Sequence, residues 1–116
     1  MPVIKVWCLP QQSEEDLNKL HQSIVAGVTS VKELGLKDEK DMTVLFPPDM
    51  MMYGLGDEVI VEISGLFVKP ERTQEVRQRL AKSVGENVSV LCPNAKVECF
   101  VQPFDPAQGF WSSTPG

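Results

Sequence analysis

Residues 2–31 read PVIKVWCLPQQSEEDLNKLHQSIVAGVTSV, and two different periodicities meet inside this stretch. Pro2 to Leu9 is β-rich and apolar and runs into Pro10-Gln11-Gln12, which punctuates it. Ser13 then precedes Glu14, Glu15 and Asp16: a hydroxyl suited to cap a helix, followed by acids that suit the positive end of its dipole. Leu17, Leu20, Ile24, Val28 and Val31 recur at spacings of three and four, which marks one apolar helical face. Gly35 is the expected C-terminal stop. The stretch therefore reads as a strand feeding an amphipathic helix.

Working outward, Met42 to Phe46 is a short apolar run ended by Pro47-Pro48 and reads as a second strand. A loop follows from Asp49 to Gly56. The order strand, helix, strand, loop then recurs. Val59 to Val68 alternates as a strand does, with Val59, Val61 and Ile63 on one face. Thr73 can cap a helix whose apolar positions include Val76, Leu80 and Val84, with Val88 continuing the series. Val97 to Val101 reads as the closing strand, and a loop runs from Pro103 to Trp111. Sliding the first strand and helix onto the second needs an offset of about 56 residues, so the chain reads as one domain built from pseudo-repeats of about 2–56 and 58–111.

Two right-handed βαβ units pair into a four-stranded mixed sheet with both helices on one face, an α+β fold. The other sheet face then lacks a cover, a physical reason to expect several copies around an axis.

Composition narrows the partners. The chain has 116 residues and a net charge of −5. An acidic chain with scattered Lys and Arg is not expected to bind nucleic acid or an anionic membrane surface. The N-terminus lacks the charged segment and long apolar run of a signal peptide. Cys8, Cys92 and Cys99 are odd in number, lack Cys-x-x-Cys spacing and are accompanied by one His, so neither a zinc site nor a disulfide framework is expected. A reducing cytoplasm fits these features best.

Pro2 opening a strand, followed by a tandem βαβ repeat, resembles the tautomerase superfamily across essentially the whole chain. Pro48-Asp49-Met50-Met51-Met52-Tyr53-Gly54 and the ending Gly109-Phe110-Trp111 are similar to macrophage migration inhibitory factor, a member of that superfamily. Glu71-Arg72-Thr73-Gln74-Glu75-Val76-Arg77 resembles the Arg-Ser helix start of two others, 5-(carboxymethyl)-2-hydroxymuconate isomerase and 4-oxalocrotonate tautomerase. Order and spacing carry the resemblance together. It implies a homotrimer of four-stranded sheets, loss of the initiator Met, and a cofactor-independent isomerase. In such an enzyme the free secondary amine of Pro2 is the general base at the mouth of an intersubunit pocket.

A secondary amine is a base only when deprotonated, so the site has to disfavour its ammonium form by desolvation or by a nearby cation. Lys37, eleven residues before Pro48, resembles a pocket lysine of macrophage migration inhibitory factor and could hold a substrate carboxylate, its other reading being a solvated, charge-mixed loop. Arg72 stands beside the cap residue Thr73, where a cation opposes the helix dipole at a cost of about 0.3–1 kcal/mol. The resemblance gives it the role of a bidentate carboxylate fork. Tyr53, Phe110 and Trp111 fall in loops that line or cover the pocket in the family, with subunit packing as their other reading. Gln12 and the run Met42-Thr43-Val44 stand where 4-oxalocrotonate tautomerase has arginines, which argues against a dicarboxylate. His21, between Leu17 and Ile24, is expected to pack at the helix edge.

The implied reaction is keto–enol tautomerisation of a small, apolar 2-oxo acid resembling phenylpyruvate. Two alternatives keep the fold. One is hydration, dehalogenation or decarboxylation of small unsaturated or 3-oxo acids; the other is a non-catalytic trimeric binding protein.

Overall fold

A computed structural model of the chain describes residues 1–52 and 58–115, so the sequence-selected Tyr53 lies outside the described residues. The elements run β1 (Val3–Trp7), α1 (Glu14–Thr29), β2 (Thr43–Leu45), β3 (Glu58–Phe67), α2 (Gln74–Leu91) and β4 (Lys96–Phe104). Short 3₁₀ turns lie at Lys32–Leu34, Glu39–Asp41 and Pro106–Gln108.

Both long helices begin where their hydroxyl residues predict. Ser13 Oγ accepts from the Asp16 backbone N–H at 3.1 Å, and Thr73 Oγ1 accepts from Val76 N–H at 3.2 Å. Each bond satisfies one of the donors that a helix start leaves unmade. The end of α1 departs from the expectation: it stops at Thr29, and Gly35 instead closes the Lys32–Leu34 turn in a left-handed conformation, φ 71°. Hydroxyls explain the early stop. Thr29 Oγ1 donates back to Val25 O at 2.9 Å and Ser30 Oγ to Gly27 O at 2.8 Å, which offers the last turn an alternative to continued helix. Val31 and Leu34 are buried all the same, because the 3₁₀ turn folds them back onto the core.

The four strands form one mixed sheet in the order β2-β1-β3-β4. β1 runs parallel to β2 and antiparallel to β3, and β3 runs parallel to β4. Strand alternation sends Ile4 and Val6 of β1 and Val59, Val61 and Ile63 of β3 into the core. There they join Leu20, Ile24 and Val28 of α1 and Val76, Leu80, Val84 and Val88 of α2. Each such side chain contributes roughly 1.5–3 kcal/mol by leaving water. Gly27 lets the helices approach: a Cβ there would stand 3.2 Å from Val84 Cα and from the Asn87 amide nitrogen. Asn87 Nδ2 and Ser83 Oγ donate to the Ser23 and Gly27 carbonyls of α1, both at 2.9 Å.

On the opposite sheet face the ladder places Leu45, Lys5, Glu62 and Phe100 in one row across all four strands. Lys5 and Glu62 form an ion pair at 4.0 Å, and Lys5 Nζ also lies 5.9 Å from the Trp7 ring centroid. Trp7, Leu45 and Phe100 are exposed large apolar residues on this face. No helix among the described residues is long and apolar enough to cross a membrane.

Candidate active site at the Pro2 end of the sheet

Strand directions decide which residues gather. Val3 stands opposite Thr43 on one side and Ser64 on the other, so the start of β1 meets the start of β2 and the end of β3. β4 runs parallel to β3 and finishes at the same end, with Phe104 beside Phe67. Pro2 is therefore surrounded by termini of all four strands.

Pro2 is buried, and its carbonyl accepts from Thr43 N–H at 3.0 Å. Proline has no N–H to give, which fits a residue standing just before its strand's ladder. Ser64 pairs with Gln102 and Leu66 with Pro103, so Gly65 is an extra residue, a β-bulge, with φ 72°. A Cβ at Gly65 would lie 3.4 Å from the Met1 carbonyl oxygen and 4.0 Å from Pro2 Cα. The left-handed turn is what favours glycine here, since a Cβ would make only ordinary contacts. Met1 is exposed, and its sulfur accepts from Thr43 Oγ1 at 3.2 Å.

Three phenylalanines form an aromatic cluster at this end. Phe67 and Phe110 meet edge to face with centroids 4.9 Å apart, and Phe104 stands 6.1 Å from Phe67 and 6.4 Å from Phe110. Phe110 thus reaches back from the C-terminal segment. Trp111 does not follow it and is 83% exposed.

The two sequence-selected cations sit in different settings. Lys37 is exposed in the segment that leads to β2; its backbone N–H donates to Asp41 Oδ2 at 2.7 Å, and its ammonium makes no ion pair among the described residues. Arg72 differs from the exposed fork that its place beside the helix cap suggests. It is 8% exposed, with Nη1 donating to Phe67 O at 3.0 Å and Nη2 to Leu34 O at 2.9 Å. Its Nε has no partner among the described residues. The guanidinium ties the end of β3 to the turn before Lys37, each forward nitrogen donating to one carbonyl. Arg77 Nη1 in turn donates to the Arg72 carbonyl at 2.7 Å.

The remaining sequence-selected groups lie away from Pro2. His21 Nδ1 is 3.9 Å from Glu39 Oε2 at the edge of α1. Cys8, Cys92 and Cys99 are unpaired and half-buried, and burial pushes the Cys99 thiol up to about 12. A cavity of about 450 Å³ opens at the opposite end of β1, beyond Trp7. Sequence reasoning missed Gly65 and Phe67. An isolated glycine inside a strand pattern is a bulge signal, and Ser64-Gly65-Leu66 carried it.

No protein-family model matches the chain, and no curated protein matches it in sequence. Solved structures do resemble it. Malonate semialdehyde decarboxylase, determined in wild-type, mutant and inactivated forms, superposes with a TM-score of 0.64 at 15% identity, covering 100% of this chain and 92% of the other. The FG41 malonate semialdehyde decarboxylase inhibited by 3-bromopropiolate gives 0.62 at 18% identity, with 100% and 90% coverage. R7 fused 4-OT, described as a wild-type asymmetric trimer, gives 0.63 at 12% identity, with 87% and 86% coverage. Identities this low speak to architecture alone, and the architecture is consistent among them: the chain has the tautomerase-superfamily fold.

Proposed function

We propose that the chain is a cofactor-independent tautomerase whose base is the amine of Pro2, freed by removal of Met1, and whose substrate is a small apolar 2-oxo acid. One observation carries this reading. Pro2 is a buried proline held at a fixed point by the Thr43 bond, beside the β-bulge at Gly65. Desolvation at such a position disfavours an ammonium, so an amine formed there is inclined toward its basic form. The amine would take the proton from the carbon next to the substrate carbonyl and return it to oxygen or carbon, a role worth typically about 10²–10⁴-fold in rate.

Lys37 is the better candidate for the carboxylate anchor, because it is exposed while Arg72 is buried and donates to two backbone carbonyls. Phe110 and its aromatic neighbours suit the apolar end of the substrate, and Trp111 and Tyr53 are lining candidates that an assembled trimer would bring into play. The proposed trimer is supported by the uncovered sheet face and by the trimeric state described for R7 fused 4-OT.

A second reading keeps Pro2 and changes the reaction to decarboxylation or hydration of a 3-oxo or unsaturated acid. The full-length likeness to the malonate semialdehyde decarboxylases favours it. A substrate panel separates the two: enolisation of phenylpyruvate without gas release from malonate semialdehyde supports the first, and the reverse pattern supports the second. Binding of such acids with turnover of neither would leave a non-catalytic trimer.

A further inference from the structure

We propose that Thr43 is a further catalytic residue, its hydroxyl donating a hydrogen bond to the 2-oxo oxygen of the substrate, an assignment that rests on Pro2 being the base.

Thr43 brackets Pro2 from the start of β2. Its backbone N–H donates to the Pro2 carbonyl at 3.0 Å, and its Oγ1 donates to the Met1 sulfur at 3.2 Å. The second contact carries the inference. Met1 is joined to the Pro2 nitrogen by a planar peptide bond of about 1.33 Å, so it leaves that nitrogen in a direction the freed amine would use. A group touching the Met1 side chain therefore borders the space into which the amine acts. Sulfur is a weak acceptor, and an oxygen that gains negative charge is a better partner for the same hydroxyl.

Strand alternation keeps this hydroxyl out of the core. Met42 is buried and Val44 packs against the core, whereas Thr43 falls on the uncovered sheet face. There it shares a cross-strand row with Val3, Ser64 and Gln102, the first row of the β1 ladder after Pro2. Thr43, Ser64 and Gln102 are all neutral hydrogen-bonding residues. The charges of the neighbouring row, Lys5 and Glu62, already pair with each other.

A neutral donor suits the step. As the Pro2 amine takes the proton next to the carbonyl, the C–H electrons form a carbon–carbon double bond. The carbonyl π electrons then move onto oxygen, giving an enolate, and Thr43 keeps its own proton throughout. A donor aimed at that oxygen binds more strongly in the transition state than in the ground state, so it raises kcat. Lys37, the proposed carboxylate anchor, would act on KM instead.

Two unreactive acids test the contact. Phenylglyoxylate has the oxo oxygen and the carboxylate but no hydrogen to lose beside the carbonyl; phenylacetate lacks the oxo oxygen. Calorimetric titration of each into Met1-processed wild type, Thr43→Val and Thr43→Ser separates the hydroxyl from everything else. Valine keeps the branched shape and the backbone bond to Pro2, and serine keeps the hydroxyl. Thr43→Val should bind phenylglyoxylate about fivefold more weakly, the size of one lost hydrogen bond, and phenylacetate as wild type does. Thr43→Ser should match wild type with both acids. With phenylpyruvate, Thr43→Val should lose about 10- to 100-fold in kcat with little change in KM. Thr43→Ala gives the same contrasts if the valine variant fails to fold. Binding needs no base, so the affinities report on Thr43 even if Pro2→Ala turns over at the wild-type rate, and the two failures read out separately. Unchanged phenylglyoxylate affinity without the hydroxyl, equal losses with both acids, a serine variant as weak as the valine one, or no saturable binding of phenylglyoxylate to wild type would overturn the assignment.

Discussion

A prolyl nitrogen acts as a base only when it is neither acylated nor protonated, and Pro2 is acylated for as long as Met1 precedes it. Everything proposed for Pro2 depends on its surroundings, and these were unevenly legible in the sequence. Its place before an apolar strand was readable. The bulge beside it was not read, because Gly65 sits inside an otherwise regular alternation. Arg72 shows the opposite failure: its place beside a helix cap suggested an exposed fork, and only the packed structure reveals two carbonyls from separate segments converging on it. A latch and an anchor predict different things. Arg72→Met should lower the unfolding free energy by about 1–3 kcal/mol in urea titration, because it strands the Phe67 and Leu34 carbonyls. Unchanged stability with a raised KM would instead make Arg72 the anchor.

Cys99 carries a pH prediction of its own. Burial raises its thiol pKa to about 12 in the folded chain, while an unfolded thiol titrates near its ordinary value of 9.0. The native state therefore holds this proton more tightly than the unfolded state. The stabilisation is fully present below pH 9 and is lost between there and about 12. Within that window stability should fall by about 1.4 kcal/mol per pH unit more in wild type than in Cys99→Ala. Parallel pH profiles for the two would show that the thiol is not desolvated as described.

At the scale of elements, the two helices were the most legible parts because their signals are local. Ser13 and Thr73 stand before long apolar periodicities, and both cap as expected. Either residue replaced by alanine should cost about 1 kcal/mol. The end of α1 was misjudged because Thr29 and Ser30 bond back to the helix backbone, a choice between two local arrangements that periodicity does not report. β4 was expected to end at Val101 but continues to Phe104, since an edge strand tolerates Pro103. Helix contact is a tertiary matter. Gly27→Val would push a branched side chain against Val84 and Asn87, and about 1–3 kcal/mol of destabilisation by thermal or urea melts is expected.

For the whole molecule, the element order in the sequence already implies a mixed sheet with both helices on one face. Handedness rules leave two βαβ units few other ways to pair. The second face is marked in the sequence only as a row of residues from Leu45 to Phe100, and the proposed trimer would cover it. Light scattering should give about three times the 12.9 kDa chain mass. A monodisperse monomer at micromolar concentration would remove the intersubunit pocket on which the proposed anchor and lining residues depend. The most direct test of the central claim compares phenylpyruvate enolisation by the Met1-processed protein, by processed Pro2→Ala, and by protein that retains Met1. Pro2→Ala should fold normally and turn over about 10²–10⁴-fold more slowly, and the Met1-retaining protein should be at least as impaired, because an amide nitrogen is not a base. Wild-type rates in both would show that Pro2 is not the base.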